Sequence, residues 1–245
     1  MSTEQPDNRT WFENYLDCPC QYFAPMADDD PLMAAYGAAR ERGAREGFVP
    51  MLVVLSDTLA EALSESGGGS PDPESLRAER RRLLSLPLRE EPAAERMRER
   101  WGVNGGCPWN EIGVPAGGEV LDRFVGYWDY GTKKTAPLLL AEIPVKHPWE
   151  VFAWLPFGGW NECPDTVGQM EMAKYWFTRH GAVPAVVTSD VLEYLLPAPV
   201  GREEAARLAL EQYAFCADIV DQGVGTLEAL ADGLARSDHW YFWWD

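Results

Sequence analysis

Cys163 is the residue whose setting most resembles a reactive one. It stands in the stretch Pro156-Phe157-Gly158-Gly159-Trp160-Asn161-Glu162-Cys163-Pro164, directly ahead of a segment with helical spacing. A thiol there would face the positive end of a helix dipole and unpaired main-chain N–H groups, both of which favour the thiolate. Gly158-Gly159 would let a ligand approach the backbone closely. A thiol nucleophile also needs a base. His180 closes the same predicted helix, roughly 20 Å away by helix rise, so His147, just ahead of the preceding apolar segment, is the better partner. The catalytic candidates are therefore Cys163, His147 and Glu162, with Trp160, Asn161 and Asp165 as binding candidates. The competing reading is a small buried cysteine in a tight turn, the commoner fate of an unpaired thiol.

A second polar group is Cys216, Asp218 and Asp221. Asp218 and Asp221 are spaced i, i+3 and could meet on one face to hold a cation or a basic group. Capping and turn formation explain them more simply. Seven of the eleven tryptophans lie from Trp149 onward and could line a pocket or an interface. Adjacent side chains of a strand point to opposite faces, so Trp243 and Trp244 cannot both enter one core. Trp243 is accordingly a binding candidate too. The loop Asn104-Gly105-Gly106-Cys107-Pro108-Trp109-Asn110 resembles the Gly159 loop in composition, and together they would make a Cys- and Trp-lined cleft.

Other chemistry has little support. Cys18-Pro19-Cys20 is a CxC rather than the CxxC of zinc ribbons and redox motifs, and no second ligand pair follows at metal-site spacing. His147, His180 and His239 are far apart in the chain, so no metal is expected. The sequence has no P-loop, dinucleotide fingerprint, nucleophile elbow or HExxH motif, and no cofactor is expected.

The net charge is −18, and it is uneven: 12 acids against 4 bases in 1–68, 11 of each in 69–139, and 9 against 3 in 201–245. An acidic surface repels phosphate backbones, which argues against nucleic acid. It would steer a basic protein partner towards it, although solubility alone is a simpler reason for the charge. No apolar run reaches the ~20 residues of a membrane helix, and the start lacks the pattern of a signal peptide. A cytoplasmic protein with no membrane role and reduced cysteines is expected. The end, Tyr241-Phe242-Trp243-Trp244-Asp245, is too aromatic for a loose tail. It is read as a packed strand that completes the chain.

The elements that would position these residues follow from period and punctuation. Asp28-Asp29-Asp30-Pro31 starts a helix over 32–45 that stops at Gly47. Val49–Leu55 reads as a buried strand, and Ser56 caps a short helix carrying Leu59 and Leu63. SESGGGSPDP (64–73) is the best linker. Residues 74–101 read as one or two charged, solvated helices broken near Pro87 and Pro92. Asp122–Tyr130 and Pro137–Val145 read as a hairpin around Gly131–Lys134, with Trp149–Leu155 as a third strand. A helix over 166–180 is capped by a Thr166–Gln169 box and buries Met170, Ala173, Trp176 and Phe177. Gly181-Ala182-Val183-Pro184 … Ser189-Asp190 echoes Gly47-Phe48-Val49-Pro50 … Ser56-Asp57, with duplication and a common αβ connection as the two explanations. Val191–Leu196 is read as a hairpin arm after the Ser189-Asp190 turn. Helices over 202–215, with Ala206, Leu210 and Tyr213 on one side, and over 226–234 precede the last strand. The result is an α+β fold, an antiparallel or mixed sheet with helices mainly on one face, divided as 1–66, 67–100 and 101–245.

PWEVFAWLPFGGWNECP, AKYWFTRHGAVPAVVTSDVLEYLLP, QYAFCADIVDQG and the closing WYFWWD together resemble a bacterial domain of unknown function, DUF4253, over 148–245. The family's usual form has Pro where this chain has Ala217. The resemblance implies a small α+β domain and carries no activity. By analogy in size, acidity and lack of motif, it points to immunity-type proteins that neutralise toxins. The reading with the best support is a non-catalytic acidic module that binds a basic protein. The alternative is an enzyme or small-molecule binder at Gly158–Asp165.

Overall fold

A computed structural model of the chain describes residues 8–66, 72–102 and 112–245. In chain order the elements begin with α1 (Asn8–Leu16), β1 (Cys20–Phe23), α2 (Asp30–Glu46), β2 (Val49–Val54), α3 (Asp57–Ser66) and α4 (Pro73–Leu84). They continue with α5 (Pro92–Trp101), β3 (Trp128–Asp129), β4 (Lys134–Thr135), β5 (Leu138–Ile143) and a 3₁₀ turn over Pro148–Ala153. The last third holds α6 (Thr166–His180), β6 (Val183–Val187), β7 (Val191–Leu195), α7 (Arg202–Phe215), a π turn over Ile219–Val224, α8 (Leu227–Leu234) and β8 (His239–Trp243).

Six strands form one mixed sheet in the order β1-β5-β2-β6-β7-β8, so the fold is α+β. β5 runs antiparallel to both β1 and β2, and β8 antiparallel to β7. β2 and β6 are parallel, with Leu52 opposite Val186 and Val53 opposite Val187. That register aligns the two GxVP echoes residue for residue, so the repeated sequence occupies equivalent places in adjacent strands. Helix α3 follows the first copy and strand β7 the second. All six residues of β2 and all five of β7 are buried, so side chains of both parities are covered.

The chain divides into two units, each assembled from separate stretches. One comprises 1–87, 125–157 and 185–189, the other 88–124, 158–184 and 190–245. In the first unit, α2 starts with Asp30 and Pro31 in its first turn and ends on Gly47 at φ +83°. That left-handed conformation strains any residue with a Cβ, which is why the helix stops there. Ser56 Oγ accepts the Leu59 N–H at 3.1 Å at the head of α3. Two expectations need correcting in this unit. The predicted hairpin is only two residues per arm, Trp128–Asp129 against Lys134–Thr135, while β5 leaves it to join the main sheet. Trp149–Leu155 is no strand: Glu150 accepts the N–H groups of Lys146 and His147, each at 3.0 Å, and with Pro148 winds the segment into a 3₁₀ turn. A third departure is in α4, where not every charge is solvated. Arg80 is only 6% exposed; it donates to the Tyr15 carbonyl at 2.5 Å and lies over the Trp154 ring.

The second unit packs around Trp176. Its ring is stacked on Phe242 at 5.3 Å and meets Phe215, Trp240 and Tyr194 edge-on. In β8, Trp240 and Phe242 are fully buried, as is Trp244 beyond it, whereas Tyr241 and Trp243 on the other parity are half-buried. The cap of α6 is Asp165, which accepts the Gly168 N–H at 2.8 Å, and not a Thr166–Gln169 box. Gln169 is buried instead, and its amide donates to the Pro164 carbonyl. Met170, Ala173 and Trp176 are in the core as expected, with Phe177 at its margin. Along α7 the buried face runs through Ala205, Leu208, Ala209, Gln212 and Phe215; Leu210 is buried too, but Ala206 and Tyr213 are only partly covered. Thr226 Oγ1 accepts the Ala229 N–H and caps α8.

Candidate functional site

The loop that leads into α6 is held by its backbone. Gly158 and Gly159 take φ of +87° and +91°, and Asn161 takes +48°. The Gly159 N–H bonds the Cys163 carbonyl at 3.1 Å, and the Cys163 N–H the Trp160 carbonyl at 2.9 Å. A Cβ on Gly158 would lie 1.7 Å from the Pro164 carbonyl oxygen, so only glycine fits. This turn points Cys163 inward. The residue is 5% exposed, and burial, reinforced by the neighbouring Cys216 thiol, pushes its own thiol well above the ordinary cysteine range. The helix N-terminus therefore does not leave a thiolate there at neutral pH: desolvation outweighs the dipole. The Gln169 amide lies 3.5 Å from Sγ.

His147 is exposed and stacks on Trp149 with centroids 4.5 Å apart. It belongs to the unit that does not contain Cys163. Trp160 is half-buried, and Asp165 is exposed and occupied as the α6 cap. The Asn104–Asn110 loop lies outside the described residues.

The two polar groups read separately in the sequence come together at the end of β8. Asn161 donates its side-chain amide to the Asp245 carbonyl oxygen. The Asp245 N–H bonds Asp218 at 3.1 Å, and the Gln222 amide reaches both Asp218, at 3.1 Å, and Asp245, at 3.5 Å. Tyr213 donates its hydroxyl to Asp221 at 3.1 Å. Arg100 from the end of α5 pairs with Glu162 at 3.0 Å and approaches Asp221 at 3.9 Å, its guanidinium lying over the Tyr213 ring. Glu162 and Asp221 thus flank one guanidinium, while Asp218 and Asp245 are joined through the Asp245 N–H and the Gln222 amide. Glu162 is 75% exposed and Asp221 53%.

Cys216 and Trp243 tie this knot to the strand. The Cys216 S–H donates to the Trp243 carbonyl at 3.0 Å, and the Trp243 indole N–H donates to Asp190 at 3.0 Å. Cys216 is buried, and burial pushes its thiol up to about 12. Its S–H thereby fastens the turn after α7 to the end of β8.

Sequence reasoning overlooked Arg100, Tyr213 and Gln222, whose parts depend on the packing of α5 and α7. It also overlooked a cavity of about 350 Å³ lined by Arg89, Glu90, Glu91, Lys174, Tyr175, Thr178 and Arg179. Beneath it Tyr175 donates to Glu211 at 2.9 Å, and Arg207 to the same carboxylate at 3.0 Å. Burial raises the pKa of Glu211. The Arg207–Glu211 spacing of i, i+4 was the one available signal. The cavity wall carries both signs of charge. Among the described residues, Asp28, Asp29 and Asp30 bring three carboxylates within metal-ligand reach of one another, and they sit at the start of α2.

Residues 139–245 match the family model of the domain of unknown function DUF4253. The matched stretch contains the Cys163 loop, the Trp176 core and all of the acidic knot except Arg100. No curated protein and no solved structure matches the chain. Among the described residues, no helix is long and apolar enough to cross a membrane.

Proposed function

We propose that the protein is a non-catalytic acidic module that binds a basic protein segment through the knot at the end of β8. The observation that carries the reading is the clustering of Glu162, Asp218, Asp221 and Asp245, with Arg100, among the described residues, as the one cation paired within it. Acids kept only for solubility would have no need of fixed positions. Here Asp218 and Asp221 are held by hydrogen bonds from Asp245, Gln222 and Tyr213. Carboxylates fixed in place lose less entropy when a Lys or Arg side chain docks. Half-buried Trp243, two residues before Asp245, supplies an aromatic contact of the kind that anchors interfaces. An immunity-type role in the cytoplasm, neutralising a basic protein, is the specific form of this reading.

The test is capture of the partner on the intact protein, identification by mass spectrometry, and association kinetics with the purified pair. Glu162→Gln together with Asp221→Asn should slow association and flatten its salt dependence, because steering between exposed charges is screened within ~8–10 Å at 0.1–0.15 M salt. An association rate indifferent to salt, or unaffected by the double substitution, refutes the proposal.

A further inference from the structure

The cavity above Tyr175 lies within the second unit and takes no part in the acidic knot. Two buried carboxylates hold its walls. Glu171, 5% exposed, accepts the Arg89 main-chain N–H at 3.1 Å and so ties the segment ahead of α5 to α6. Glu211 holds the Tyr175 hydroxyl in the floor. Most of the charge in the lining is already spent on the protein itself. Arg89 pairs with Glu95 and approaches Glu171 at 3.5 Å. Arg179 bonds both oxygens of Glu91, at 3.0 and 3.3 Å, and its guanidinium lies over the Tyr175 ring. Two charges are left over. Among the described residues, the Lys174 ammonium on α6 and the Glu90 carboxylate ahead of α5 line this cavity with no hydrogen bond or ion pair, to each other or to any neighbour. One turn beyond Lys174, Thr178 donates its hydroxyl to the Lys174 carbonyl at 2.8 Å, and its oxygen can still accept.

We infer that the cavity binds a free amino acid as its zwitterion, the ligand carboxylate on Lys174 and its ammonium on Glu90 and Thr178. Opposite charges that share a cavity of about 350 Å³ without meeting fit a ligand that carries both. That volume is at the small end of ligand sites, which suits a compact metabolite. A ligand of single sign is disfavoured: an anion meets Glu90 and Glu91, and a cation meets Lys174, Arg89 and Arg179. The Tyr175 ring and the methylene stems of Lys174 and Arg179 offer apolar surface to the ligand's side chain. Walls fixed by Glu171 and by the Arg179–Glu91 pair spare the ligand much of the cost of ordering them.

The experiment titrates the full-length protein calorimetrically with each of the proteinogenic L-amino acids. At least one should bind with a Kd on the order of 1 mM or tighter, as expected for so small a ligand. Its N-acetyl derivative and its carboxamide, each lacking one charge, should bind at least about tenfold more weakly, because each leaves one wall charge unmatched. Lys174→Met and Glu90→Gln should each weaken the amino acid by a similar factor and leave the unfolding midpoint of the free protein unchanged. The inference is overturned if no amino acid binds at ten times that concentration, if either derivative binds as well as the parent, or if either substitution leaves the affinity unchanged. The derivatives test the wild-type protein, so they decide the matter even if a variant folds poorly.

Discussion

Replacing Phe242 by alanine removes the central ring of β8 and should cost far more than replacing its neighbour Trp243. Phe242 is fully buried, stacked on Trp176 with planes 7° apart, and in edge contact with Phe215 at 5.1 Å and Tyr194 at 5.7 Å. A core Phe→Ala change costs about 3–5 kcal/mol through lost transfer energy and the cavity left behind. Each lost ring pair contributes to that figure, at ~0.5–1.5 kcal/mol beyond area burial. Against a total of ~5–15 kcal/mol this is a large share of the stability. Trp243→Ala removes a half-buried ring on the opposite parity and one hydrogen bond to Asp190, for about 1–2 kcal/mol. Urea unfolding followed by circular dichroism, with midpoints converted through the transition slope, measures both. Equal costs, or a larger cost for Trp243→Ala, would refute the assignment of the β8 faces and the core built on it.

Two further substitutions should move thermal stability in opposite directions. Gly158→Ala forces a Cβ onto the Pro164 carbonyl at φ +87° and should destabilise by at least about 2 kcal/mol, whereas Gly37→Ala, in α2 with nothing within 4 Å, should stabilise by up to about 1 kcal/mol; like signs would contradict the loop geometry. Alkaline pH should also destabilise. The folded protein holds the Cys216 proton up to about 12 and the Cys163 proton beyond that, while unfolded thiols release theirs near 9.0. Stability from these two groups is whole below that ordinary value and is lost as pH rises through the folded ones, at up to about 1.4 kcal/mol per pH unit per thiol. Cys216→Ala should flatten the decline above pH 9, and an unchanged slope would show that this thiol is not withheld from solvent.

Local chemistry in the sequence determined much of this protein. Asp30-Pro31 and Gly47 bound α2, Ser56 opens α3, Thr226 caps α8, and the apolar run Val49–Val54 is a strand. These features depend on residues within a few positions of each other, so they survive reading in one dimension. The parity argument at the chain end also rests on backbone geometry alone, and it separated Trp244 from Trp243. Trp149–Leu155 misled because a strand and a 3₁₀ turn both tolerate V-F-A-W, and the deciding interaction was a Glu150 carboxylate turned back on two backbone N–H groups. β1 lay hidden in a polar stretch: an outer strand of four residues with a single buried side chain leaves almost no apolar period to detect. Cys163 carried the sequence marks of a reactive thiol, but burial is a property of everything packed around it, and desolvation settled its protonation. The acidic knot was least legible of all. Its members come from 100, 161–162, 213–222 and 245, and only the packing of α5 and α7 and the end of β8 brings them within hydrogen-bonding distance. The sequence could supply the charges, but Coulomb and hydrogen-bond energies act over a few ångströms of space, and that separation is set by the tertiary structure.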